Sequence, residues 1–130
     1  MPAATILVID DDKLTRWSVS TLLGRAGYHV QEAATGKEGL AAIEEAAPNL
    51  VLLDIELPDM DGFAVLKAIR EIRSDLPVLT MTADATAETA RKALRLGAQA
   101  HLDKPVDFAT LEAAVSQALN PSAPPGHASR

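Results

Sequence analysis

The sequence contains no cysteine, which excludes a disulfide framework and a thiolate metal site. Aromatic residues make up only 3% of the chain, so a hydrophobic core must be built from leucine, isoleucine, valine and alanine. No apolar run approaches the roughly 18 residues that a membrane span needs, and no signal peptide begins the chain. The net charge of −6 argues weakly against binding to nucleic acid or to an anionic membrane. We therefore expect a cytoplasmic protein.

The length and the apolar content match one domain with a single core. The chain has 130 residues, and 48% of them are hydrophobic, which is enough to bury a sheet on both faces. Residues 120–130 are small, polar and rich in proline, as is typical of a tail or of the start of a linker. We expect a domain over residues 1–119 and a Pro-rich tail or linker stub over residues 120–130.

Five short apolar runs alternate with longer helical patterns. The predicted strands are Thr5–Asp10, His29–Ala33, Leu50–Asp54, Val78–Thr82 and Ala100–Asp103. The first, third and fourth runs are almost continuously apolar, which is typical of central parallel strands covered on both faces. The second and fifth are more polar, as edge strands are. The alternation predicts an α/β fold with a doubly wound parallel sheet, although periodicity does not give the strand order.

The helical patterns place apolar residues three and four positions apart. In the third helix, Val65, Ile69 and Ile72 are predicted to face the core. In the fourth helix, the predicted inward residues are Ala90 and Leu94. The strands should therefore be covered by amphipathic helices.

Polar side chains follow four of the predicted strands at the point where each strand ends. In sequence order they are Asp10, Asp11, Asp12, Asp54, Thr82 and Lys104. Ligands of open parallel sheets bind beyond the carboxyl ends of the strands. We therefore expect carboxylates, a hydroxyl and an ammonium to meet at one edge of the sheet.

This combination of groups suits phosphoryl transfer. Carboxylates a few ångströms apart cannot all stay ionised without a cation, and carboxylate oxygens with room for water suit Mg²⁺. An ammonium and a hydroxyl suit the oxygens of a phosphoryl group. With an aspartate as nucleophile, such a site predicts Mg²⁺-dependent phosphoryl transfer to the protein itself.

Each residue also has an ordinary structural explanation when it is taken alone. Asp12 fits the N-cap of the first helix. Thr82 fits a strand-end hydroxyl bonded to the backbone, and Lys104 fits a solvated lysine. Only their joint placement at four strand ends favours a functional site.

Four sequence blocks resemble the signature blocks of CheY-like receiver domains, the response-regulator modules of two-component signalling. The blocks are ILVIDDD at 6–12, LLDIELPDMDG at 52–62, PVLTMTA at 77–83 and DKP at 103–105. They occur in order, and the resemblance covers about Thr5 to Leu119. It implies a flavodoxin-like (βα)5 fold with strand order 2-1-3-4-5, and a cis peptide bond before Pro105.

The resemblance implies a phosphoacceptor and a metal site. Asp54 would accept the phosphoryl group from a sensor histidine kinase or a histidine phosphotransfer protein. Asp11 and Asp54 would bind Mg²⁺ directly, Asp10 would hold it through water, and the backbone carbonyl of Glu56 would add a ligand. The domain would catalyse only its own phosphorylation and dephosphorylation, and would act as a switch rather than as an enzyme.

The resemblance also implies how the switch works. Thr82, Ala83 and Lys104 would contact the phosphoryl group, and the surface of helix four, strand five and helix five would then change shape. His101 stands where many receivers carry tyrosine or phenylalanine, the aromatic residue that turns inward with the threonine. An exposed edge-strand position is the alternative for His101.

Two acidic residues should overlook the site, because they follow Asp54 and Thr82 by two positions. We predict that Glu56 and Asp84 tune the lifetime of the phosphoryl group. The output would be transcription regulation by a further domain or another effector, and phosphorylation would favour a homodimer.

Two other classes of protein fit parts of the sequence. A haloacid-dehalogenase-type phosphatase also uses an aspartate and Mg²⁺ after its first strand, and Asp10-x-Asp12 fits that beginning. The phosphorylated residue discriminates between the classes, since it would be Asp10 there and Asp54 in a receiver. A degenerate receiver that only binds proteins is the other class, and failure to bind Mg²⁺ would favour it.

Overall fold

The computed structural model describes residues 3–83 and 86–120, in which five strands alternate with five helices. The strands are β1 (Thr5–Ile9), β2 (His29–Ala33), β3 (Leu50–Asp54), β4 (Val78–Thr82) and β5 (Ala100–Asp103). The helices are α1 (Lys13–Arg25), α2 (Gly36–Ala46), α3 (Gly62–Ile72), α4 (Ala87–Arg95) and α5 (Phe108–Leu119). All five predicted strands are confirmed, and only the first ends one residue earlier than predicted.

The strands form one parallel sheet in the order β2-β1-β3-β4-β5, so the flavodoxin-like order is confirmed. The two more polar strands, β2 and β5, are the edges, as their composition predicts. The register places Ile9 beside Leu53 and Thr82 beside Asp103. This register brings the residues that follow β1 and the end of β3 side by side.

The central strands bury both of their faces, which explains their continuous apolar runs. Ile6 and Val8 belong to the core layer that includes residues of α1 and α5, whereas Leu7 and Ile9 belong to the opposite layer with residues of α2 and α3. Each fully buried side chain of this kind stabilises the fold by about 1.5–3 kcal/mol. The core therefore holds the strand ends, and the polar residues on them, in fixed positions.

The loop after β3 depends on a glycine without space for a side chain. A Cβ atom on Gly62 would lie 2.3 Å from the Cα atom and from the carbonyl oxygen of Ile55. The N–H of Gly62 donates to that same oxygen at 3.0 Å. This close approach folds the loop back against the end of β3, next to Asp54.

Helix α4 corrects one expectation from the sequence. Leu94 is 48% exposed, and Ala93 is the residue of α4 that is fully buried. Ile72 of α3 is also exposed rather than inward. The inward face of α4 is formed around the small Ala93, and the larger Leu94 beside it faces solvent.

Among the described residues, no helix has both the length and the hydropathy of a membrane span. Helix α5 ends at Leu119, and residues 121–130 of the predicted tail lie outside the described part. The predicted cis peptide bond between Lys104 and Pro105 is confirmed.

Candidate functional site

Three aspartates meet at the carboxyl edge of the sheet. Asp10 and Asp11 follow β1 directly, and Asp54 is the last residue of β3. One carboxylate oxygen from each of the three lies within 4.8 Å of the other two. Asp10 and Asp54 are buried, with Asp54 only 2% exposed, whereas Asp11 reaches solvent. The structure thus brings together three of the residues that the sequence predicted as metal ligands.

The ammonium group of Lys104 lies between the two buried carboxylates. Its Nζ atom is 2.8 Å from Oδ2 of Asp10 and donates to Oδ2 of Asp54 at 3.2 Å. Burial alone would lower the pKa of Lys104, but the contacts with Asp10 and Asp54 raise it above its ordinary value. Lys104 is therefore a charged constituent of the site and not a solvated surface lysine.

The carboxyl group of Asp54 is not fully neutralised by this single cation. Burial raises the pKa of Asp54 to about 6, and the charge of Asp10 acts in the same direction. The backbone N–H of Glu56, which donates to Oδ1 of Asp54 at 3.0 Å, and the Lys104 ammonium oppose the rise without cancelling it. Two buried carboxylates that share one ammonium favour the binding of a further cation.

The donor set fits Mg²⁺. It consists of carboxylate oxygens, one of the three carboxyl groups reaches solvent, and hard oxygen ligands with retained waters are what Mg²⁺ prefers. Opposite ligands of one Mg²⁺ lie about 4.2 Å apart, so oxygens within 4.8 Å of one another need only small adjustments to share an ion.

Asp10 is held on its backbone as well as on its side chain. Its N–H donates to the carbonyl oxygen of Ala33 at 3.1 Å, and its Oδ1 accepts from the N–H of Asp12 at 2.9 Å. Nη1 of Arg16 donates to its carbonyl oxygen at 2.7 Å. The side chain of Asp12 accepts from the N–H of Thr15 at 3.2 Å, so the N-cap explanation of Asp12 is confirmed. Arg16 had no assigned role in the sequence, because nothing in its spacing reveals this contact.

The hydroxyl of Thr82 belongs to β4, the strand that pairs with the Asp54 strand β3. Thr82 is buried at the end of β4, and its Oγ1 donates to Oε1 of Glu56 over a long 3.4 Å. Ala83 follows it and is exposed. Glu56, which is also exposed, therefore stands beside both the phosphoacceptor candidate and the switch candidate. Asp84 lies outside the described residues.

His101 is half-buried, so the alternative of an exposed edge-strand residue is wrong. Its Nδ1 atom is hydrogen-bonded to Oγ1 of Thr80 at 2.7 Å, two residues before Thr82 on β4. Burial lowers the pKa of His101, and the charge of Asp103 opposes this effect. The imidazole is therefore neutral at neutral pH and joins β5 to β4 through its hydrogen bond with Thr80.

An apolar surface adjoins the site on α1. Leu14 and Trp17, which we call the α1 apolar patch, are 69% and 62% exposed. Leu14 also lines a cavity of about 380 Å³ that extends past Val19 and Met81 to Lys104. The patch was not predicted, because two exposed apolar residues in one helical turn resemble ordinary amphipathic spacing.

Comparison with known proteins agrees with the fold. A family model described as the response regulator receiver domain matches residues 6–116. The Transcriptional regulatory protein ZraR of Escherichia coli is 42% identical over 114 residues, 88% of this chain and 26% of that protein. The DNA-binding transcriptional regulator NtrC of Azospirillum brasilense is 36% identical over 125 residues, 96% of this chain and 26% of that protein. The chain thus spans about a quarter of the length of these curated relatives.

Solved structures of similar chains share the whole architecture. A CheY-like response regulator receiver domain protein from Methanospirillum hungatei has a TM-score of 0.87 and 36% identity, covering 92% of this chain and 95% of that one. The receiver domain of NtrX from Brucella abortus has a TM-score of 0.86 and 36% identity, covering 90% and 99%. This chain belongs to the response regulator receiver domain family, the phosphorylation-accepting signalling modules of two-component systems.

Proposed function

We propose that Asp54 is the phosphoacceptor of this receiver and that Mg²⁺ is held by Asp10, Asp11, Asp54 and the backbone carbonyl of Glu56. The observation that carries the proposal is the burial of the Asp54 carboxylate close to that of Asp10, with the single ammonium of Lys104 in contact with both. Two buried carboxylates beside one ammonium leave a net negative charge, which a bound cation would stabilise.

Different residues have different roles in the transfer of the phosphoryl group. The ionised Asp54 attacks the phosphorus of a phosphohistidine, a new O–P bond forms, the P–N bond breaks, and the released imidazole takes its proton from solvent. The ammonium of Lys104, already 3.2 Å from Asp54, offsets the charge of the transferred oxygens. Bound Mg²⁺ supplies further charge neutralisation at these oxygens. A pKa of about 6 leaves most of Asp54 ionised and nucleophilic at neutral pH.

In this proposal the remaining contacts with the phosphoryl group are made by Thr82 and Ala83. The lifetime of the phosphorylated state is set by Glu56 and Asp84. Thr82 is buried at the end of β4 and directly follows Met81, the residue that pairs with Asp54. The carboxylate of Glu56 beside that hydroxyl competes with a phosphoryl oxygen for it and repels the added charge. We expect Glu56 to destabilise the phosphorylated state, and Asp84 to act in the same way.

The switch extends from Thr82 to the surface formed by α4, β5 and α5. A displacement of Thr82 is transmitted along β4 to Thr80, and from Thr80 to His101 through their hydrogen bond. Arg91 and Arg95 lie exposed on α4 at this surface. Phosphorylation shifts the equilibrium only by its different interaction energies with the two states, and the Lys104 and Thr82 contacts would supply that difference.

The partner, the location and the output complete the proposal. Leu14 of the α1 apolar patch lines the same cavity as Lys104 and Pro105. A helix of a sensor histidine kinase or phosphotransfer protein that packs on this patch would therefore bring its histidine to Asp54. Relatives named as transcriptional regulators support transcription regulation through a domain beyond the receiver at 1–119, with 120–130 as tail or linker. We propose a cytoplasmic module without further enzymatic activity, which forms a homodimer when phosphorylated.

Intact-mass measurement after incubation with acetyl phosphate tests the proposal. The protein should gain one phosphoryl group in the presence of Mg²⁺ and none with a chelator. Asp54→Ala should abolish the gain, whereas Asp59→Ala, which removes an exposed carboxylate five positions later, should retain it. A gain that persists in Asp54→Ala would refute the assignment. A protein that shows neither a mass gain nor an Mg²⁺-dependent change in Trp17 fluorescence would be a binding module only.

A further inference from the structure

Arg16 connects three elements at the base of the metal site. Its Nη1 donates to the carbonyl oxygen of Asp10 at 2.7 Å, and its Nε forms an ion pair with Oε1 of Glu32 at 3.3 Å. The side chain is only 16% exposed, although Arg16 is the fourth residue of α1, close to the exposed start of the helix. Arg16 therefore links α1 to the end of β1 and to the edge strand β2.

The carbonyl that Arg16 binds belongs to the peptide group between Asp10 and Asp11. Because a peptide group is planar, fixing its oxygen also fixes the direction in which the chain enters Asp11. Within residues 3–83 and 86–120, no hydrogen bond or ion pair holds the Asp11 carboxylate. The position of that carboxylate therefore depends on its backbone, in contrast to the side chain of Asp10, which Lys104 and the N–H of Asp12 restrain.

We propose that Arg16 is a positioning residue for Mg²⁺ binding: it locks the Asp10–Asp11 peptide so that the Asp11 carboxylate is directed toward Asp10 and Asp54. The inference rests on the proposed Mg²⁺ site. A planar guanidinium reaches two acceptors at fixed angles, as it does here with Asp10 and Glu32, and an ammonium does not. Lysine at this position should therefore replace arginine only in part.

The sign of the effect separates positioning from simple electrostatics. A positive charge near the carboxylates repels Mg²⁺, so removing the charge of Arg16 would tighten binding if charge were its only contribution. If Arg16 positions Asp11, its removal weakens binding in spite of that gain. Groups that orient metal ligands typically contribute about ten-fold or more to affinity.

Calorimetric titration of the unphosphorylated protein with Mg²⁺ tests this. We expect Arg16→Ala to raise the Kd for Mg²⁺ by about ten-fold and Arg16→Lys to raise it by less. Glu32→Gln should change it little, because the ion pair with the exposed Glu32 is weak. Lys13→Ala is the matched control, since it removes the same charge from the exposed first residue of α1. It should leave the Kd unchanged or lower it.

A second measurement excludes a general loss of structure. With saturating Mg²⁺, Arg16→Ala should recover most of the acetyl phosphate reaction rate, so that only the half-saturating Mg²⁺ concentration moves. An unchanged or lower Kd in Arg16→Ala would overturn the proposal. If that variant does not fold, Arg16→Lys decides by the same comparison with Lys13→Ala.

The outcomes also distinguish this proposal from the proposed function. Mg²⁺ binding that weakens in Arg16→Ala supports the positioning role even if Asp54 is never phosphorylated. A parent protein that binds no Mg²⁺ would overturn the positioning role together with the metal site.

Discussion

The ionised carboxylate of Asp54 should destabilise the unphosphorylated protein, and removing its charge should stabilise it. Asp54 is 2% exposed, and burial raises its pKa from 3.8 to about 6. The folded state therefore binds a proton at this position more tightly than the unfolded state does. At pH values above 6 the group is ionised in both states, and the pKa difference corresponds to ~3 kcal/mol against folding.

Asp54→Asn replaces this carboxylate with a neutral amide of the same size. Without Mg²⁺, we expect the variant to be about 1–3 kcal/mol more stable than the parent near pH 8, the lower value allowing for a poorer contact with Lys104. The gain in stability is complete above pH 6 and declines as the pH falls through 6 toward 3.8. It is absent below 3.8, because the carboxyl group of Asp54 is then protonated in both the folded and the unfolded state. Mg²⁺ should reduce the difference, because it stabilises the parent by binding only the folded state.

Urea unfolding in the presence of a chelator, at about pH 8 and about pH 4, measures both effects. Asp59→Asn provides a control of opposite sign. The backbone N–H groups of Gly36 and Lys37 donate to the Asp59 carboxylate and lower its pKa, so its removal should destabilise the protein near pH 8. The reasoning is refuted if Asp54→Asn is no more stable than the parent near pH 8. A gain of equal size near pH 4 would show that ionisation is not its cause.

Three further predictions concern single side chains around the site. Gly62→Ala should destabilise the protein by about 2 kcal/mol or more in urea unfolding, since its Cβ would lie 2.3 Å from backbone atoms of Ile55; a loss below 0.5 kcal/mol would contradict the packing. Glu56→Asn and Asp84→Ala should each slow the loss of the phosphoryl group by roughly three- to ten-fold, a smaller change than loss of a full general base causes. Rates equal to that of the parent, followed by intact mass, would exclude this tuning. Lys104→Met should raise the pKa of Asp54 further, because the ammonium lowers it, and ¹³C NMR titration of the carboxyl group should detect the rise; an unchanged pKa would contradict the ion pair.

The sequence predicted most of the fold because its strongest signals are local. Short continuous apolar runs that alternate with amphipathic helical patterns are typical of central parallel strands, and the polar residue that follows each run marks the edge where ligands bind. Asp10, Asp54 and Lys104 were therefore placed correctly before any contact was known. The strand order itself came from the resemblance to receivers, since periodicity does not determine which strands are neighbours.

The remaining features depend on contacts between residues that are distant in sequence. The hydrogen bond between His101 and Thr80 joins two strands, and only the register of β4 and β5 brings the pair together. The contact of Arg16 with a backbone carbonyl has no signature in side-chain spacing. The exposure of Leu94 was not predicted, because α4 packs against the core through the small side chain of Ala93 and not through its largest apolar residue.

Identification of the phosphorylated residue tests the central claim most directly. The protein is phosphorylated with acetyl phosphate and Mg²⁺, the acyl phosphate is reduced with borohydride, and the resulting homoserine is located by peptide mass spectrometry. The account predicts homoserine at position 54 and nowhere else, with none in Asp54→Asn. Homoserine at position 10 would contradict the account and would favour a phosphatase that uses the first strand's aspartate.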